Sequence, residues 1–119
     1  MIEFTNTLIE SLLSDFKVDG ESIPVSYMFY EGHGEPYITY FHQDSNNSFA
    51  GDDELLGYVE YYDFDVYSKG NYLKIIESLK EILEANGFRY QPSRSSIDMY
   101  EPDTLYYHKT LNFGFLKEV

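Results

Sequence analysis

Residues 57–87, GYVEYYDFDVYSKGNYLKIIESLKEILEANG, predict one long strand that runs almost directly into one amphipathic helix. Strand side chains alternate between two faces. Phe64 and Val66 share one face, whereas Asp63 and Asp65, which would be costly to bury, share the other. We therefore predict that Phe64 and Val66 face the core. Residues 57–67 would span about 36 Å at about 3.3 Å each, more than a typical strand, so we expect this strand to project past its own core.

The rest of the chain supplies a second helix and further strands. Apolar residues at three- and four-residue spacing predict a helix over residues 6–16, and the same spacing in residues 71–86 defines the helix of the opening segment. Strands are predicted at 25–30, 37–43, 88–91 and 105–116. Two helices on one face of a mostly antiparallel β-sheet would bury these stripes, so the predicted fold class is α+β, a two-layer sandwich.

Residues 44–54, DSNNSFAGDDE, are polar, acidic and rich in turn formers, and they predict a mobile loop. A lone aromatic residue in such a loop suggests a segment that becomes ordered against a neighbour. The strand after it presents a face that we expect to be exposed. These two segments give the predicted assembly interface, which consists of Phe49, Asp52, Asp53, Glu54, Tyr61, Asp63, Asp65 and Tyr67.

Composition limits the possible functions. The chain has 119 residues, which predicts a single domain over residues 1–119. It carries 8 Lys and Arg against 21 Asp and Glu, a formal net charge of −13, and this excess disfavours binding to a phosphate backbone. The sequence contains no cysteine, no predicted membrane span and no predicted signal peptide. Its 13 tyrosines fit either strands, where tyrosine is favoured, or interfaces that are solvated before assembly.

No residue pattern indicates a chemical site. His42, Asp44 and His108 could bind a metal only if the fold brought them together, and no spacing requires that. Asp63 and Asp65 are about 7 Å apart on one strand face, where they could hold a cation or act as a carboxylate pair, although a solvated face is the simpler interpretation. We therefore predict no catalytic residue, no cofactor and no metal, and we expect that the protein is not an enzyme.

Several segments, in order along the chain, resemble one protein family. They are residues 36–40 (PYITY), the acidic loop, residues 61–69 (YYDFDVYSK), the helix to Asn86 with Gly87 and Phe88, and residues 106–113 (YYHKTLNF). This pattern resembles the small tail-terminator or tail-completion proteins of long-tailed bacteriophages and prophages, which are minor structural proteins of the head–tail junction. The resemblance covers residues 5–116.

The resemblance implies a tail-terminator-like α+β subunit that forms a homo-hexameric ring and that can be monomeric alone. Such a ring caps the tail tube, stops its growth and presents a face to the head connector. Its implied partners are further copies of itself, the tail-tube protein and a head-connector or head-completion protein. DNA passes through without specific binding, and no membrane is involved. The implied location is the host cytoplasm during assembly and then the tail of the virion.

Three alternatives remain open from the sequence. The chain could be a head-completion protein that closes the connector on the other side of the same junction. It could be an acidic inhibitor that mimics DNA and binds a basic enzyme tightly. A small enzyme or metal protein is the third alternative.

Overall fold

The computed structural model describes residues 2–30, 32, 36–51, 54–70 and 72–118, and it describes side chains in 5–30, 32, 36–43, 57–70 and 72–116. This part of the chain forms two helices, eight strands and a short 3-10 helix, Pro92–Arg94. The helices are α1 (Ile2–Leu13) and α2 (Tyr72–Ala85). The strands are β1 (Lys17–Val18), β2 (Glu21–Ser22), β3 (Val25–Tyr27), β4 (Tyr37–Gly51), β5 (Glu54–Ser68), β6 (Phe88–Tyr90), β7 (Met99–Glu101) and β8 (Tyr106–Glu118).

The main sheet has the strand order β3-β4-β5-β8-β6. The pairs β4–β5, β5–β8 and β6–β8 are antiparallel, and only β3 runs parallel to its neighbour β4. Strand β7 pairs with the start of β8 and β6 pairs near its end, so both lie along the edge of β8 that faces away from β5. The predicted α+β class with a mostly antiparallel sheet is confirmed.

One face of the sheet carries the core. Ile9 and Leu13 of α1 and Ile75, Leu79 and Leu83 of α2 are buried in a single cluster with residues of the sheet. The sheet contributes residues at alternate positions of its long strands, and such residues share one face. These residues are Tyr62, Phe64 and Val66 of β5 and Leu111 and Phe113 of β8. Burying each such side chain contributes about 1.5–3 kcal/mol. Both helices cover this face, and the predicted core side of β5 is confirmed.

The first helix ends earlier than predicted because the chain turns after it into a small hairpin. Residues 6–16 were the predicted span, whereas α1 ends at Leu13 and Phe16 packs into the core. Strands β1 and β2 pair antiparallel across Asp19 and Gly20, which have φ angles of 54° and 81°. Two consecutive residues at positive φ make the tight turn typical of Asp-Gly hairpins. The Asp-Gly pair therefore marks a hairpin turn as well as the end of the helical segment.

The prediction that residues 44–54 form a mobile loop is wrong. Strand β4 continues to Gly51 and β5 begins at Glu54, so the polar segment forms most of a β-hairpin. The pairing extends to Gly51↔Glu54 and shows register shifts between His42 and Asp44 and between Asn47 and Ala50. Polar residues can form a ladder when β-pairing satisfies their backbone groups, and bulges absorb residues that fit a regular strand poorly. Asp52 and Asp53 lie outside the described residues.

Candidate assembly surface

The β4–β5 hairpin gives the molecule its elongated shape. Each of its strands has 15 residues, and the described part of the chain measures 53 × 26 × 23 Å. Strand β8 accompanies β5 only as far as Gly57↔Glu118, and the hairpin continues beyond that pair to Gly51↔Glu54. Among the described side chains of β5, Glu60 is the buried one on the helical face that lies nearest the tip of the hairpin. The end of the hairpin therefore extends past β8. The strand predicted to project, residues 57–67, is instead paired with β8 along its whole length, and the projecting part is the segment that was predicted as a loop.

The side of β8 that faces away from β5 is covered from residue 106 to residue 115. Strands β6 and β7 pair with the two ends of β8. Between them the backbone N–H of Gln91 donates to the carbonyl of Asn112 at 2.8 Å, and that of Ser96 donates to the carbonyl of Thr110 at 2.9 Å. The hydroxyl of Ser95 in turn accepts the backbone N–H of Asn112 at 2.9 Å. Strands β6 and β7 are therefore the edge strands on this side of the sheet.

The opposite edge is open over most of β4. Strand β3 pairs with Ile38–Tyr40, and the N–H of Met28 adds a hydrogen bond to the carbonyl of Tyr40 at 2.9 Å. Within residues 2–30, 32, 36–51, 54–70 and 72–118, no strand pairs with this edge of β4 after Tyr40. Open edge strands are sites where another chain can add a strand. Among the described residues, the part of β4 after Tyr40 is therefore a candidate site for strand addition.

The predicted site residues of β5 lie on the helix-free face, but they are not the solvated strand face that the sequence suggested. Asp63 is only 8% exposed, and its Oδ1 accepts a hydrogen bond from Nδ2 of the buried Asn112 at 2.8 Å. The guanidinium of Arg94 lies 3.7 Å from the centre of the Tyr61 ring and donates to Oε1 of Gln43 at 2.6 Å. The turn around Arg94 thus covers this face, and the predicted exposure of Asp63 is wrong.

The other two predicted β5 residues belong to an aromatic and polar cluster on the same face. Asp65 Oδ1 accepts a hydrogen bond from the hydroxyl of Thr110 at 2.5 Å and lies 3.4 Å from Nε2 of His108. The Tyr67 ring stacks on the ring of His108, with centroids 4.2 Å apart, and on that of Tyr37 at 4.7 Å. Burial, with a smaller contribution from the Asp65 carboxylate, raises the pKa of Tyr67 to about 12. These contacts are intramolecular, so an assembly role for Asp65 and Tyr67 stays a prediction.

Two further predicted site residues, Phe49 and Glu54, lie in the hairpin. Backbone pairing places Phe49 opposite Gly57 and Glu54 opposite Gly51, and the side chains of Phe49 and Glu54 lie outside the described ones. The six predicted residues in the described part of the chain are therefore divided between the hairpin and the helix-free face, and Asp52 and Asp53 lie outside that part. Strand β5 joins the two groups.

The histidines considered for a metal site are not brought together. His42 packs edge-on against the core-facing Tyr62, with ring centroids 5.4 Å apart, whereas His108 stacks on Tyr67 on the other face of the sheet. Among the described residues, no group of three or more His, Cys, Asp or Glu side chains could hold a metal ion. The Asp63 and Asp65 carboxylates accept hydrogen bonds from Asn112 and from Thr110 respectively.

Two exposed apolar features were not singled out from the sequence. A groove of about 470 Å³ lies between the start of α2 and β8 and is lined by Gly70, Tyr72, Leu73, Lys74, Asp98 and Tyr107. The second feature is the pair Met28 and Phe29 just after β3, which are 59% and 65% exposed. The sequence contained a signal for the groove, because Leu73 is an apolar residue outside the buried stripe of α2 and is 67% exposed.

Within the described part of the chain, no helix is long and apolar enough to cross a membrane. Comparison with protein-family models finds no match, and comparison with curated proteins finds no similar sequence.

Proposed function

We propose that this chain is a non-enzymatic structural protein of a phage or prophage virion, which forms a ring at the head-proximal end of the tail tube. The ring ends tail growth and joins the tail to the head. The observation that carries this proposal is the edge of β4, which within the described part of the chain pairs with no strand after Tyr40. An open edge on a small subunit is a liability unless another chain pairs with it.

The projecting hairpin supports the same proposal. Strands β4 and β5 each extend for 15 residues, and together they continue past the end of β8. The outer part of this hairpin, which continues past β8, can contact a neighbouring copy or the tail tube while the inner part of β5 stays in the core. We propose that Phe49, Asp52, Asp53 and Glu54 take part in those contacts.

Charge fits a protein through which DNA passes. The formal net charge is −13, and a ring of such chains would repel the DNA phosphates on average rather than bind them. This favours a passage over a nucleic-acid binding site. The proposed partners are other copies of this chain, the tail-tube protein and a head-connector protein, and the proposed location is the host cytoplasm followed by the virion.

The experiment that tests this function is growth of tail tubes in vitro. Purified tail-tube protein from the same phage or prophage is polymerised with and without this chain, and tube lengths are measured by electron microscopy. We expect shorter tubes with a ring of extra density at one end. Tubes of unchanged length with bare ends would contradict the proposal, and a ring that binds isolated connectors instead would favour the head-completion role.

A further inference from the structure

Strand β6 has a free edge of its own, on the side of the sheet opposite to β4. Among the described strands it pairs only with β8. A cavity of about 360 Å³ lies beside it and is lined by Glu84, Gly87, Phe88, Arg89 and Tyr90. Since three of these residues are the strand itself, β6 has space next to it that its own chain does not fill, as far as the structure describes the chain.

The free edges of β6 and β4 have the directions that an antiparallel sheet requires. Strand β4 is antiparallel to β5, β5 to β8, and β8 to β6, so β6 runs opposite to β4. When a second copy stands beside the first without being inverted, its β4 meets β6 of the first copy as an antiparallel neighbour. The alternation of strand directions then continues through the contact, and the same contact can repeat from copy to copy.

The two free edges also lie at the same height along the strands. One row across the sheet connects Asp44, Tyr61, Gly114 and Arg89. The rows on either side of it connect His42 with Tyr90 and Ser45 with Phe88. Strand β3 pairs with β4 only as far as Tyr40. The sheet is therefore extended by β6 at one edge at the height where β4 lacks a described neighbour at the other.

The backbone of β6 directs hydrogen-bonding groups toward its free edge. The N–H of Gln91 donates to the carbonyl of Asn112 at 2.8 Å, in the same register as the β6–β8 pairs. Hydrogen-bonded and non-hydrogen-bonded pairs alternate along antiparallel strands. The backbone groups of Arg89 therefore face β8, as those of Gln91 do, and the groups of Phe88 and Tyr90 point away from β8.

The backbone of β4 directs matching groups outward in the same rows. The carbonyl of Tyr40 faces this edge, because it accepts the N–H of Met28 at 2.9 Å. Alternation directs the groups of His42 outward as well, and the extra residue in the bulge after His42 moves the next outward position to Ser45. His42 and Ser45 stand in the rows that end in Tyr90 and Phe88, so the donors and acceptors of the two edges are in phase.

Charge complementarity favours another copy as the neighbour. Arg89 is exposed and forms no ion pair with a described side chain, and the amine of Lys80 lies 4.0 Å from the centre of the Tyr90 ring. Residues 44–54 contain four acidic residues and no basic one. Pairing at the same height places Arg89 of one copy opposite Asp44 of the next, and opposite charges across a strand pair are stabilising.

We propose that β6 of one copy pairs antiparallel with residues 42–45 of β4 in the next copy, with Arg89 opposite Asp44. This inference rests on the proposed function, because it names the contact by which copies form the ring. The contact is heterologous, since it joins two different edges, and its repetition gives a closed ring or a filament. The paired stretch is short, so two free copies hold each other weakly, whereas every copy in a closed ring makes two such contacts. The outer part of the hairpin stays free to contact the tail tube.

Disulfide trapping tests the pairing and its register, because the native chain has no cysteine. In the alternation described above, Arg89 and Asp44 form a non-hydrogen-bonded pair, in which the Cα atoms are about 4.5 Å apart and a disulfide can form. Arg89→Cys and Asp44→Cys are prepared separately and mixed under mild oxidation at several protein concentrations. We expect the mixture to form covalent dimers, and a chain that carries both substitutions to form a ladder or a covalent ring.

The matched control replaces Asp44→Cys by Asn47→Cys, which lies farther along the same open edge. Pairing in the proposed register holds the two thiols at a high effective concentration, so cross-linking of Arg89→Cys with Asp44→Cys should be at least about tenfold faster than with Asn47→Cys. Asp44→Cys alone should stay largely monomeric. Equal rates for positions 44 and 47, or faster cross-linking of Asp44→Cys with itself through paired β4 strands, would overturn the proposed contact.

Exchange of the two charges tests the same contact without a covalent bond. Arg89→Glu alone should weaken association at least about tenfold, because like charges then face each other. Arg89→Glu together with Asp44→Arg should restore association, and Arg89→Lys should retain it. Native mass spectrometry measures the oligomer, and urea denaturation checks that each variant is folded. A double variant that associates no better than Arg89→Glu would contradict the pairing.

The outcomes separate this inference from the proposed function. If the native chain forms a ring in native mass spectrometry and the Arg89–Asp44 pair does not cross-link above the control, copies assemble through other segments and the inference fails alone. If the pair cross-links but the chain leaves tail-tube length unchanged, the strand pairing stands and the tail-terminator role fails.

Discussion

Removing the outer part of the β4–β5 hairpin should abolish assembly while leaving the subunit folded. The variant replaces residues 47–58 by Asn-Gly, so that Asn46 and Val59, which face each other in the native ladder, flank a two-residue turn. Asn-Gly is the preferred sequence for such a turn. Among the described side chains, none of the core cluster is removed by this change.

The expected effect on stability is small because two contributions oppose each other. Each lost hydrogen bond between the strands lowers the stability by about 0.5–1.5 kcal/mol. Each residue that is removed also removes about 1–2 kcal/mol of unfavourable backbone entropy of folding, which raises the stability. Isolated two-stranded hairpins are marginally stable at best for this reason. The loss of pairing between β8 and residues Gly57 and Tyr58 adds a small cost. We expect the free energy of unfolding to change by less than about 2 kcal/mol.

Urea denaturation followed by circular dichroism measures this change, and Phe64→Ala is the control for damage to the core. Phe64 is fully buried, so its truncation should cost about 3–5 kcal/mol. Assembly of the shortened chain is then measured by native mass spectrometry with tail tubes present. A loss of stability as large as that of Phe64→Ala, or a shortened chain that still caps tubes, would refute the assignment of the hairpin to assembly.

Three further outcomes test the fold on which the account rests. Asn112→Leu removes the hydrogen-bond donor to the buried Asp63 and should lower the free energy of unfolding, measured by urea denaturation, by about 1.5–3 kcal/mol. A coupling energy below about 0.5 kcal/mol in a double-mutant cycle with Asp63→Leu would contradict a stabilising hydrogen bond between the two side chains. Burial raises the pKa of Tyr40 to about 12 from 10.0, and Tyr40 is only 4% exposed. The fold favours the protonated phenol, so Tyr40 contributes its full stabilisation below about pH 10, and this stabilisation is lost as the pH rises toward 12. Between about pH 9 and 11.5 the free energy of unfolding of Tyr40→Phe should therefore fall by about 2 kcal/mol less than that of the native chain. Equal decreases for the two proteins would be inconsistent with a buried phenol. Gly114→Ala would place a methyl group 2.9 Å from a side-chain carbon of β5 and should cost about 1–3 kcal/mol, whereas Gly70→Ala, with nothing within 4 Å, should have little effect on the melting temperature.

The regular parts of the fold were predictable because hydrophobic periodicity determines them. The apolar stripe of residues 71–86 predicted α2 to within one residue at each end, since Tyr72–Ala85 is the observed helix. Alternation in β5 placed Phe64 and Val66 on the core side correctly, because the two apolar residues share one face and the two aspartates share the other. Long elements with strong patterns are the ones for which sequence is most informative.

The polar hairpin was missed because its sequence carries no apolar alternation. Residues 44–51 contain serine, asparagine and aspartate, which local sequence rules assign to turns. Antiparallel pairing with β5 provides hydrogen-bond partners for the backbone of this segment whatever its side chains are. Local sequence patterns do not show which other segment will supply those partners.

Burial of acidic residues could not be inferred from one strand alone. Glu60 is fully buried on the core-facing side, where the hydroxyl of Thr5 donates to its Oε1 at 3.3 Å. Asp63 is covered on the opposite face, where Asn112 supplies its donor. Both donors lie far away in sequence, on α1 and β8, so the cost of burying a carboxylate was overestimated when it was judged without these partners.

The candidate interface was predictable in part. The sequence placed it on the strand β5 and the segment before it, and the structure makes that segment a projecting hairpin beside an open edge. The groove at Leu73 and the exposed pair Met28 and Phe29 were not recognised, because each is a short apolar signal whose exposure depends on tertiary packing.

Native mass spectrometry of the purified chain, over a range of concentrations and with tail tubes added, tests most directly whether its sheet edges are completed by copies of itself. The account predicts one discrete closed oligomer, formed either by the chain alone or on the tube end. A monomer under every one of these conditions, or a tight complex of one copy with a basic nucleic-acid enzyme in place of self-association, would contradict it.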